Sequence, residues 1–239
     1  DNGIARVLNF AGLVPPEQSR FFNWSKPFVQ LETTRGCFNT CAFCVSGGEK
    51  PVRTLSIESI RRRLQLIHAH GIKNVRVLDR TFNYNPRRAK ELLRLFLEFH
   101  PDIRFHLEIH PALLSEELKE ELSLLPKGLL HLEAGIQSLR EPVLEKSRRM
   151  GKLSDALDGL RFLCALPNME THADLIAGLP LYHLHEIFED VRTLAEYAAG
   201  EIQLESLKLL PGTEMRRRAE ESGIKYSPLP PYEVLQTHE

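Results

Sequence analysis

The sequence has few cysteines, a single tryptophan and no excess of charge of either sign. Its 31 basic residues are balanced by 32 acidic ones, so the formal net charge is -1. Proteins that coat nucleic acids or lie on membrane surfaces usually carry a basic excess, so we expect neither partner. No apolar run reaches the roughly 18 residues that a bilayer-spanning helix needs. The opening DNGIARVLNF lacks the basic and apolar regions of a secretion signal, and we expect a cytoplasmic protein.

Cysteine is scarce, but it is not scattered. The chain has 239 residues and 4 cysteines, of which Cys37, Cys41 and Cys44 lie close together. Secreted disulfide frameworks spread their cysteines along short chains. A tight group in a long, otherwise cysteine-poor chain is typical of a metal site in a reducing compartment. The remaining Cys164 lies in the apolar run RFLCAL, and we interpret it as a buried, inert thiol.

Strand-like and helix-like patterns alternate along most of the chain. Residues 1–26 show no clear period and are interpreted as a lead-in segment or linker; the barrel described below would occupy 27–239, with a C-terminal extension from about 223. Strands are predicted near 28–34, 73–79, 103–109, 129–135, 169–176 and 201–209. Helices are predicted near 56–70, 86–99, 115–124, 153–165, 184–198 and 213–222.

Repeated strand–helix units indicate a parallel sheet. A complete barrel of eight units takes about 250 residues, and this chain is used up by six. We therefore predict an α/β fold, an incomplete (β/α)6 barrel of the TIM type with parallel strands.

Polar residues occupy alternate positions of the predicted strands. In 103–110, Arg104, His106, Glu108 and His110 alternate with apolar residues, and 129–134 and 170–175 repeat the pattern. Strands buried on both faces would be continuously apolar. Because the helices must cover the apolar face, the polar face is predicted to line a lumen suited to a polar ligand. An antiparallel sheet with one solvated face would show the same alternation, although the intervening helices argue against it.

The cysteines lie in ETTRGCFNTCAFCVSGG, directly after the first predicted strand, with the spacing Cys-x3-Cys-x2-Cys. Barrel active sites lie at this end of the strands. A [4Fe–4S] cluster normally takes four thiolates, so three would leave one iron open to an external ligand such as an amino-acid head group. Gly36, Gly47 and Gly48 would let the backbone turn closely around the metal. Structural zinc is the alternative; it needs four ligands, and only distant histidines could supply the fourth.

This spacing, with Phe43 before the last cysteine, resembles the radical S-adenosylmethionine (SAM) superfamily. The segments that strengthen the resemblance are HLEIHP (106–111), LEAGIQSL (132–139) and ADLIAGLP (173–180). Two more, LKLLPGT (207–213) and PPYEVL (230–235), resemble its cobalamin-binding branch. The Gly-Gly-Glu motif common after the second strand is absent. LDRTFN (78–83) stands there and resembles the variant of the cobalamin-dependent and methylthiotransferase branches.

The resemblance implies a [4Fe–4S] cluster on Cys37, Cys41 and Cys44, and SAM in the lumen. The SAM-binding residues it implies are Phe43, Val45, Asp174, Ile176, Gly178 and Leu209 near adenine, Asp79 and Arg80 near the methionine end, Glu108, Glu133, Gln137 and Ser138 around the ribose and amino acid, and Arg149, with Arg148 an equal alternative, at the carboxylate. Lumen carboxylates would complement the cationic SAM. The alternative role for each is a structural ion pair with His106, His131 or Lys208.

The resemblance also implies a reaction. One-electron reduction of bound SAM would give methionine and a 5′-deoxyadenosyl radical, which abstracts a hydrogen atom from the substrate. Cobalamin-dependent methyl transfer to an unactivated carbon is the favoured outcome, with cobalamin held through a domain absent from these residues. The alternatives are a rearrangement or cyclisation without methyl transfer, and a non-catalytic iron–sulfur electron carrier. The expected partners are a small-molecule or peptide substrate of unknown identity and an electron donor such as flavodoxin or ferredoxin.

Overall fold

Six parallel strands form the sheet that the alternating pattern predicts. The computed structural model describes residues 12–197 and 200–237. The strands are β1 (Val29–Leu31), β2 (Asn74–Val77), β3 (Arg104–Ile109), β4 (Leu130–Gln137), β5 (Glu170–Ala177) and β6 (Glu201–Ser206). They lie side by side in chain order, and each pairs in parallel with the next. Helices connect successive parallel strands, as in an incomplete (β/α)6 barrel, which confirms the predicted fold class.

Seven α-helices accompany the sheet in the described residues. They are α1 (Ile57–Ala69), α2 (Pro86–Leu97), α3 (Glu116–Leu124), α4 (Glu141–Lys146), α5 (Leu153–Ala165), α6 (Leu184–Glu196) and α7 (Glu214–Arg217). Several begin where the sequence signals place them. The hydroxyl of Ser56 accepts the backbone N–H of Ser59 at 3.1 Å, and that of Ser115 accepts Leu118 N–H at 3.3 Å. Each bond satisfies a donor that the first helical turn leaves free.

The main apolar core lies between the sheet and its helices. Along β3, Phe105 and Leu107 are fully buried, whereas the alternate residues are only partly buried. The ring of Phe105 stacks on Phe96 of α2 with 4.1 Å between centroids. Successive side chains of a strand point to opposite faces, so the polar residues of β3 are left facing the lumen. The predicted polar lumen is confirmed by this arrangement.

The structure differs from the predicted elements at three points. β1 ends at Leu31, and Thr34–Arg35 leaves the barrel to pair antiparallel with Arg53–Thr54. The helix predicted over 213–222 is only α7, followed by a 3-10 turn, Glu220–Ser222, which ends at Gly223 with φ +61°. Helix α4 was not predicted, because six residues are too few to show a helical period.

The described part of the predicted lead-in, residues 12–26, packs against α1. Glu17 is buried and accepts two hydrogen bonds from Arg63, at 2.6 and 3.1 Å. Trp24 stacks on His70 with 3.8 Å between ring centroids. Residues 1–11 lie outside the described residues. Near the other end, Val234–Gln236 pairs with Lys225–Tyr226 as a small ribbon. Within the described ranges, no helix combines the length and apolar character that crossing a bilayer requires.

Candidate active site

The cysteine loop begins after β1 and is closed at its base by the antiparallel pair Thr34–Arg35 and Arg53–Thr54. Inside it, the backbone N–H of Cys37 donates to Glu49 O at 3.0 Å, and that of Gly48 donates to Asn39 O at 2.7 Å. Two of its glycines are required by close approach. A Cβ at position 36 would lie 2.5 Å from Glu49 O, and one at position 47 would lie 2.6 Å from Cys41 O. The loop is thus wound too tightly for a side chain at either glycine.

All three thiols of the loop are free, and they face one cavity. Cys37 and Cys41 are buried, and Cys44 is partly buried. Burial raises the pKa of the Cys41 thiol, but the guanidinium of Arg149, with Nη1 3.8 Å from Cys41 Sγ, works in the opposite direction. A neighbouring cation of this kind favours the thiolate, the form that ligates metals.

The spacing of the thiols bears on the choice between zinc and a cluster. Three sulfurs on one tetrahedral zinc ion, each at about 2.3 Å, would lie about 3.8 Å apart. Among the described residues, the only group of metal-ligating side chains within 4.8 Å of one another is a different one, in the lumen. The three cysteine sulfurs are therefore not all within 4.8 Å of one another. Three free thiols on a tight glycine-containing loop fit a polynuclear iron–sulfur cluster.

The other walls of this cavity come from the carboxyl ends of the strands. The parallel register places Glu108 of β3 opposite Glu133 of β4, and Gly135 opposite Asp174 of β5. The predicted cofactor-binding residues that line the cavity with the thiols are Phe43, Arg80, Glu108, Glu133, Gln137, Arg149 and Asp174. Residues that are far apart in the chain are brought together because parallel strands end at the same edge of the sheet.

The two candidate arginines are separated by the structure. The side chain of Arg149 reaches into the cavity, where it donates to the carbonyl oxygen of Gly135 and approaches Cys41. Arg148 points away and forms an exposed ion pair with Glu214, with 2.5 Å between Nη1 and Oε2. Only Arg149 is therefore positioned beside the thiols.

The cavity carboxylates differ in charge state. Burial, reinforced by the charge of Glu133, raises the pKa of Glu108 to about 7. Burial followed by the same neighbouring charge also raises the pKa of Asp174. The imidazole of His106, whose Nε2 lies 2.7 Å from Glu133 Oε2, holds the pKa of Glu133 below its usual range. The lowered pKa favours the ionised form of Glu133, and its contact with His106 is one of the pairings that the sequence left as an alternative.

The backbone at the end of β4 is irregular. Between Gly135 and Gln137 the pairing with β5 shifts register, and Gln137 has φ +74°. A non-glycine residue in this left-handed region is uncommon, and such strain is concentrated at functional sites. The kink delivers the Gln137 side chain to the cavity, where it lies close to Arg149 beside Gly135.

Six of the predicted SAM-binding residues do not line the cavity, and three of these, Asp79, Ser138 and Val45, lie elsewhere around it. Asp79 is fully buried, and one of its oxygens accepts the backbone N–H groups of Thr33 and Thr34 at 2.8 Å each. Ser138 is also fully buried and lies 3.5 Å from Asp190. Val45 is 56% exposed on the cysteine loop. In the structure, Asp79 and Ser138 brace the loops around the cavity.

Four of the six residues predicted near adenine, Phe43, Ile176, Gly178 and Leu209, lie in or beside an apolar group next to the thiol loop. Leu209 is fully buried in a second, smaller apolar cluster, and Phe43 and Ile176 pack against that cluster from the side. Gly178, with φ +87°, lies next to it, where a Cβ would be 3.6 Å from Leu207 Cβ. The structure brings these four residues together, and of them only Phe43 lines the thiol cavity.

Several cavity residues were not among the predicted site residues. Asn39 is buried and accepts the backbone N–H of Met150 at 3.2 Å, which ties the cysteine loop to the segment that carries Arg149. Thr81 Oγ1 lies 3.9 Å from Cys37 Sγ. His110 donates to Met150 O at 3.0 Å, and burial lowers its pKa to about 3, so it is neutral. For His110 a signal existed, because it continues the polar alternation of β3.

Comparison with known proteins agrees with this geometry. The family model described as the radical SAM superfamily matches residues 31–194. The ribosomal protein uS12 methylthiotransferase RimO of Moorella thermoacetica is 28% identical over 190 residues, which are 73% of this chain and 43% of that protein. A tRNA-2-methylthio-N(6)-dimethylallyladenosine synthase of Herpetosiphon aurantiacus is 25% identical over 210 residues, 80% of this chain and 46% of the synthase. The chain therefore spans less than half the length of these relatives.

The fold also matches a solved structure. The radical S-adenosylmethionine methyltransferase TsrM of Kitasatospora setae, bound to tryptophan and a SAM analogue, superposes with a TM-score of 0.70 at 20% identity. The match covers 88% of this chain and 43% of TsrM. At this level of identity the likeness concerns the barrel architecture alone.

Proposed function

The chain belongs to the radical SAM superfamily, and from this premise we propose that the whole protein cleaves SAM reductively and directs the resulting radical to a carbon atom of its substrate. The observation that carries the proposal is the shared cavity, in which three free thiols face a wall of carboxylates. When bound, the [4Fe–4S] cluster supplies the electron that divides SAM into methionine and a 5′-deoxyadenosyl radical. Flavodoxin or ferredoxin would be suitable sources of that electron.

We infer a role for each group of cavity residues. Cys37, Cys41 and Cys44 hold the cluster and leave one iron for the amino-acid end of SAM. Of the two adjacent arginines, Arg149 would pair with the SAM carboxylate, because its side chain and not that of Arg148 lies beside the thiols. Glu108 faces the same space with little competition from ion pairs, and it would accept hydrogen bonds from the ammonium group or the ribose.

The rest of the nucleoside requires polar and apolar partners. Gln137 and Asp174 converge on the cavity from adjacent strands and could hydrogen bond to ribose hydroxyls. The apolar group beside the loop, Phe43, Ile176 and Leu209, would pack on adenine and exclude water from it.

We propose methyl transfer to an unactivated carbon, with cobalamin, as the reaction of the intact protein. The support is the resemblance of LDRTFN, LKLLPGT and PPYEVL to the cobalamin-binding branch, together with a barrel like that of TsrM, which has been solved with cobalamin and a [4Fe–4S] cluster bound. The described residues do not fit cobalamin on their own. A pocket that binds tightly buries most of its ligand, and the thiol cavity, of about 150 Å³, is far too small to enclose a corrin ring. Residues of this chain would therefore contact one face at most.

Methylthio transfer is the second candidate. It is favoured by the likeness to the RimO and tRNA methylthiotransferase relatives, whose identity to this chain is 25–28% over most of its length. Rearrangement or cyclisation has no comparable support in the relatives.

The central test is SAM cleavage by the chain after anaerobic cluster reconstitution. We expect about four iron and four sulfide per chain and, after reduction, slow release of 5′-deoxyadenosine without substrate. Cys37→Ala should abolish both, whereas Cys164→Ala, which changes a thiol on α5, should alter neither. A chain that takes up one zinc and no iron would overturn the proposal.

A second experiment addresses cobalamin. Equilibrium dialysis with hydroxocobalamin would compare these 239 residues with the natural full-length protein. We expect tight binding by the longer protein and weak binding by this chain. Failure of the full-length protein to bind would remove cobalamin-dependent methyl transfer and leave SAM cleavage intact. Methylthio transfer would then be the reaction to assay.

A further inference from the structure

A second group of metal-ligating side chains lies deeper in the lumen than the thiols. His106, Glu133 and His172 project from the adjacent strands β3, β4 and β5, and their ligand atoms all lie within 4.8 Å of one another. His106 Nε2 is 2.7 Å from Glu133 Oε2, and His172 Nε2 is 3.6 Å from the same oxygen. Because all three side chains are carried by hydrogen-bonded strands, their spacing is held rigidly.

Two buried polar atoms at this group have no hydrogen bond. His172 is 4% exposed and Asp174 is 9% exposed, and neither His172 Nε2 nor Asp174 Oδ1 forms a hydrogen bond. These two atoms lie 3.4 Å apart, which is ion-pair distance when His172 is protonated, and His172 Nε2 lies 3.6 Å from Glu133 Oε2. Buried polar atoms without a hydrogen bond are rare and costly, so a ligand that contacts both atoms would be favoured here.

We propose that His106, Glu133 and His172 form a second metal site, which takes a single divalent first-row transition ion and is independent of the cluster on the cysteines. Two imidazoles and one carboxylate on one side of an ion are a donor set suited to zinc or ferrous iron. Asp174 Oδ1 is close enough to supply a further oxygen. The ion would contact His172 Nε2 and Asp174 Oδ1, the two buried atoms that form no hydrogen bond.

The hydrogen bonds around His172 set a condition for this role. Its second ring nitrogen, Nδ1, lies 2.6 Å from His131 Nε2, and Arg104 Nη2 lies 3.0 Å from His131 Nδ1. Because arginine only donates, this arrangement places the proton of a neutral His131 on Nε2, from which it donates to His172 Nδ1, and leaves the proton of a neutral His172 on Nε2. Ligation through His172 Nε2 therefore requires both rings to change tautomer. His172 Nδ1 would then donate to His131 Nε2, and Arg104 would lose its hydrogen bond to His131 and keep its ion pair with Glu170. Outer partners of this kind orient a metal-ligating histidine.

The site opens onto a cavity. A space of about 530 Å³ below it is lined by all three ligands together with other polar residues, among them Arg76 and Gln203. Glu133 also lines the thiol cavity above. A metal held by three protein ligands at the edge of a cavity keeps a position open for water or for an oxygen or nitrogen atom of a ligand.

The test uses zinc as the probe and does not depend on SAM cleavage. The cluster-loaded chain, whose thiols are occupied, is incubated with ZnCl₂, desalted and analysed for metals. We expect one additional zinc per chain with the iron content unchanged. His106→Gln and His172→Gln should lose this zinc. His68→Gln, which alters an exposed imidazole 2.9 Å from Asp102, is the matched control and should retain it.

A second arm covers failure of cluster loading or of variant folding. The Cys37→Ser/Cys41→Ser/Cys44→Ser variant is titrated with Co²⁺, which has visible ligand-field bands in a nitrogen and oxygen site without sulfur charge-transfer bands. Saturation of such bands at one Co²⁺ per chain, displaced by zinc, supports the site. The proposal is overturned if this variant shows no bands. It is also overturned if folded His106→Gln and His172→Gln bind zinc as well as the unsubstituted chain does.

Discussion

The two faces of β3 serve different purposes: one packs in the apolar core, and the other lines the lumen. On the outer face, Phe105 and Leu107 are fully buried against helices. On the lumen face, one residue away, His106 and Glu108 are polar and partly exposed to the cavities. Successive side chains of a strand point in opposite directions, so stability and chemistry are separated by a single position. Substitutions on the two faces should therefore affect different measurements.

The largest change in stability should come from the outer face. Leu107→Ala removes a fully buried side chain and should lower the free energy of unfolding by about 2–5 kcal/mol. Glu108→Gln, its neighbour on the lumen face, keeps the side-chain volume and should change the unfolding free energy by less than about 1 kcal/mol. Denaturant unfolding of both variants is the measurement. Equal losses would show that the two faces are not separable.

The largest change in SAM binding should come from Arg149. If it pairs with the SAM carboxylate, Arg149→Ala removes a charged hydrogen-bond partner that contributes about 1.5–3 kcal/mol, and the Kd should rise by about 10–100-fold. Arg148→Ala is the matched control, because Arg148 forms an exposed ion pair with Glu214. Calorimetric titration of SAM into the cluster-loaded chain distinguishes them. A loss of affinity in Arg148→Ala alone would reverse the assignment.

A smaller effect is expected at Gly178. Gly178→Leu should weaken SAM binding by placing a side chain beside the apolar group predicted to hold adenine, while the iron content stays the same. Gly212→Leu is a close control, since both glycines have φ +87° but a Cβ at position 212 would meet nothing within 4 Å. Both variants carry the same backbone strain. If the two variants bind SAM equally well, Gly178 does not lie beside the ligand.

The smallest effect should be at Val45. Its side chain is 56% exposed, so Val45→Ser should change the unfolding free energy by no more than about 0.5 kcal/mol. We expect the Kd for SAM to change by no more than about twofold, which corresponds to about 0.4 kcal/mol of binding free energy. A larger loss of affinity would show that Val45 closes over adenine once SAM is bound, as the family resemblance implies.

Much of the barrel was predictable because its signals are local. The polar alternation in 103–110 and 129–134 predicted which residues of β3 and β4 face the lumen, and capping serines predicted the starts of α1 and α3. The spacing of the cysteines indicated the cluster site in the same way. These patterns depend on neighbours within a few positions of the chain.

What the sequence could not provide depends on contacts between distant segments. Arg148 and Arg149 are adjacent, and only the left-handed conformation of Arg148, with φ +55°, and the position of Glu214 show which of them faces the thiols. The convergence of His106 and His172 on Glu133 depends on the register of three strands. Neither a turn conformation nor a strand register follows from residue type alone.

Glu133 belongs to two cavities at once, since it lines both the space at the thiols and the larger space below. Two ligands that contact the same carboxylate do not bind independently of each other. If an ion on the lower side changes the affinity for a cationic ligand on the upper side by some factor, the upper ligand must change the affinity for the ion by the same factor. Glu133 thus links the two cavities thermodynamically, because a ligand bound in one cavity changes the affinity of the other cavity for its ligand.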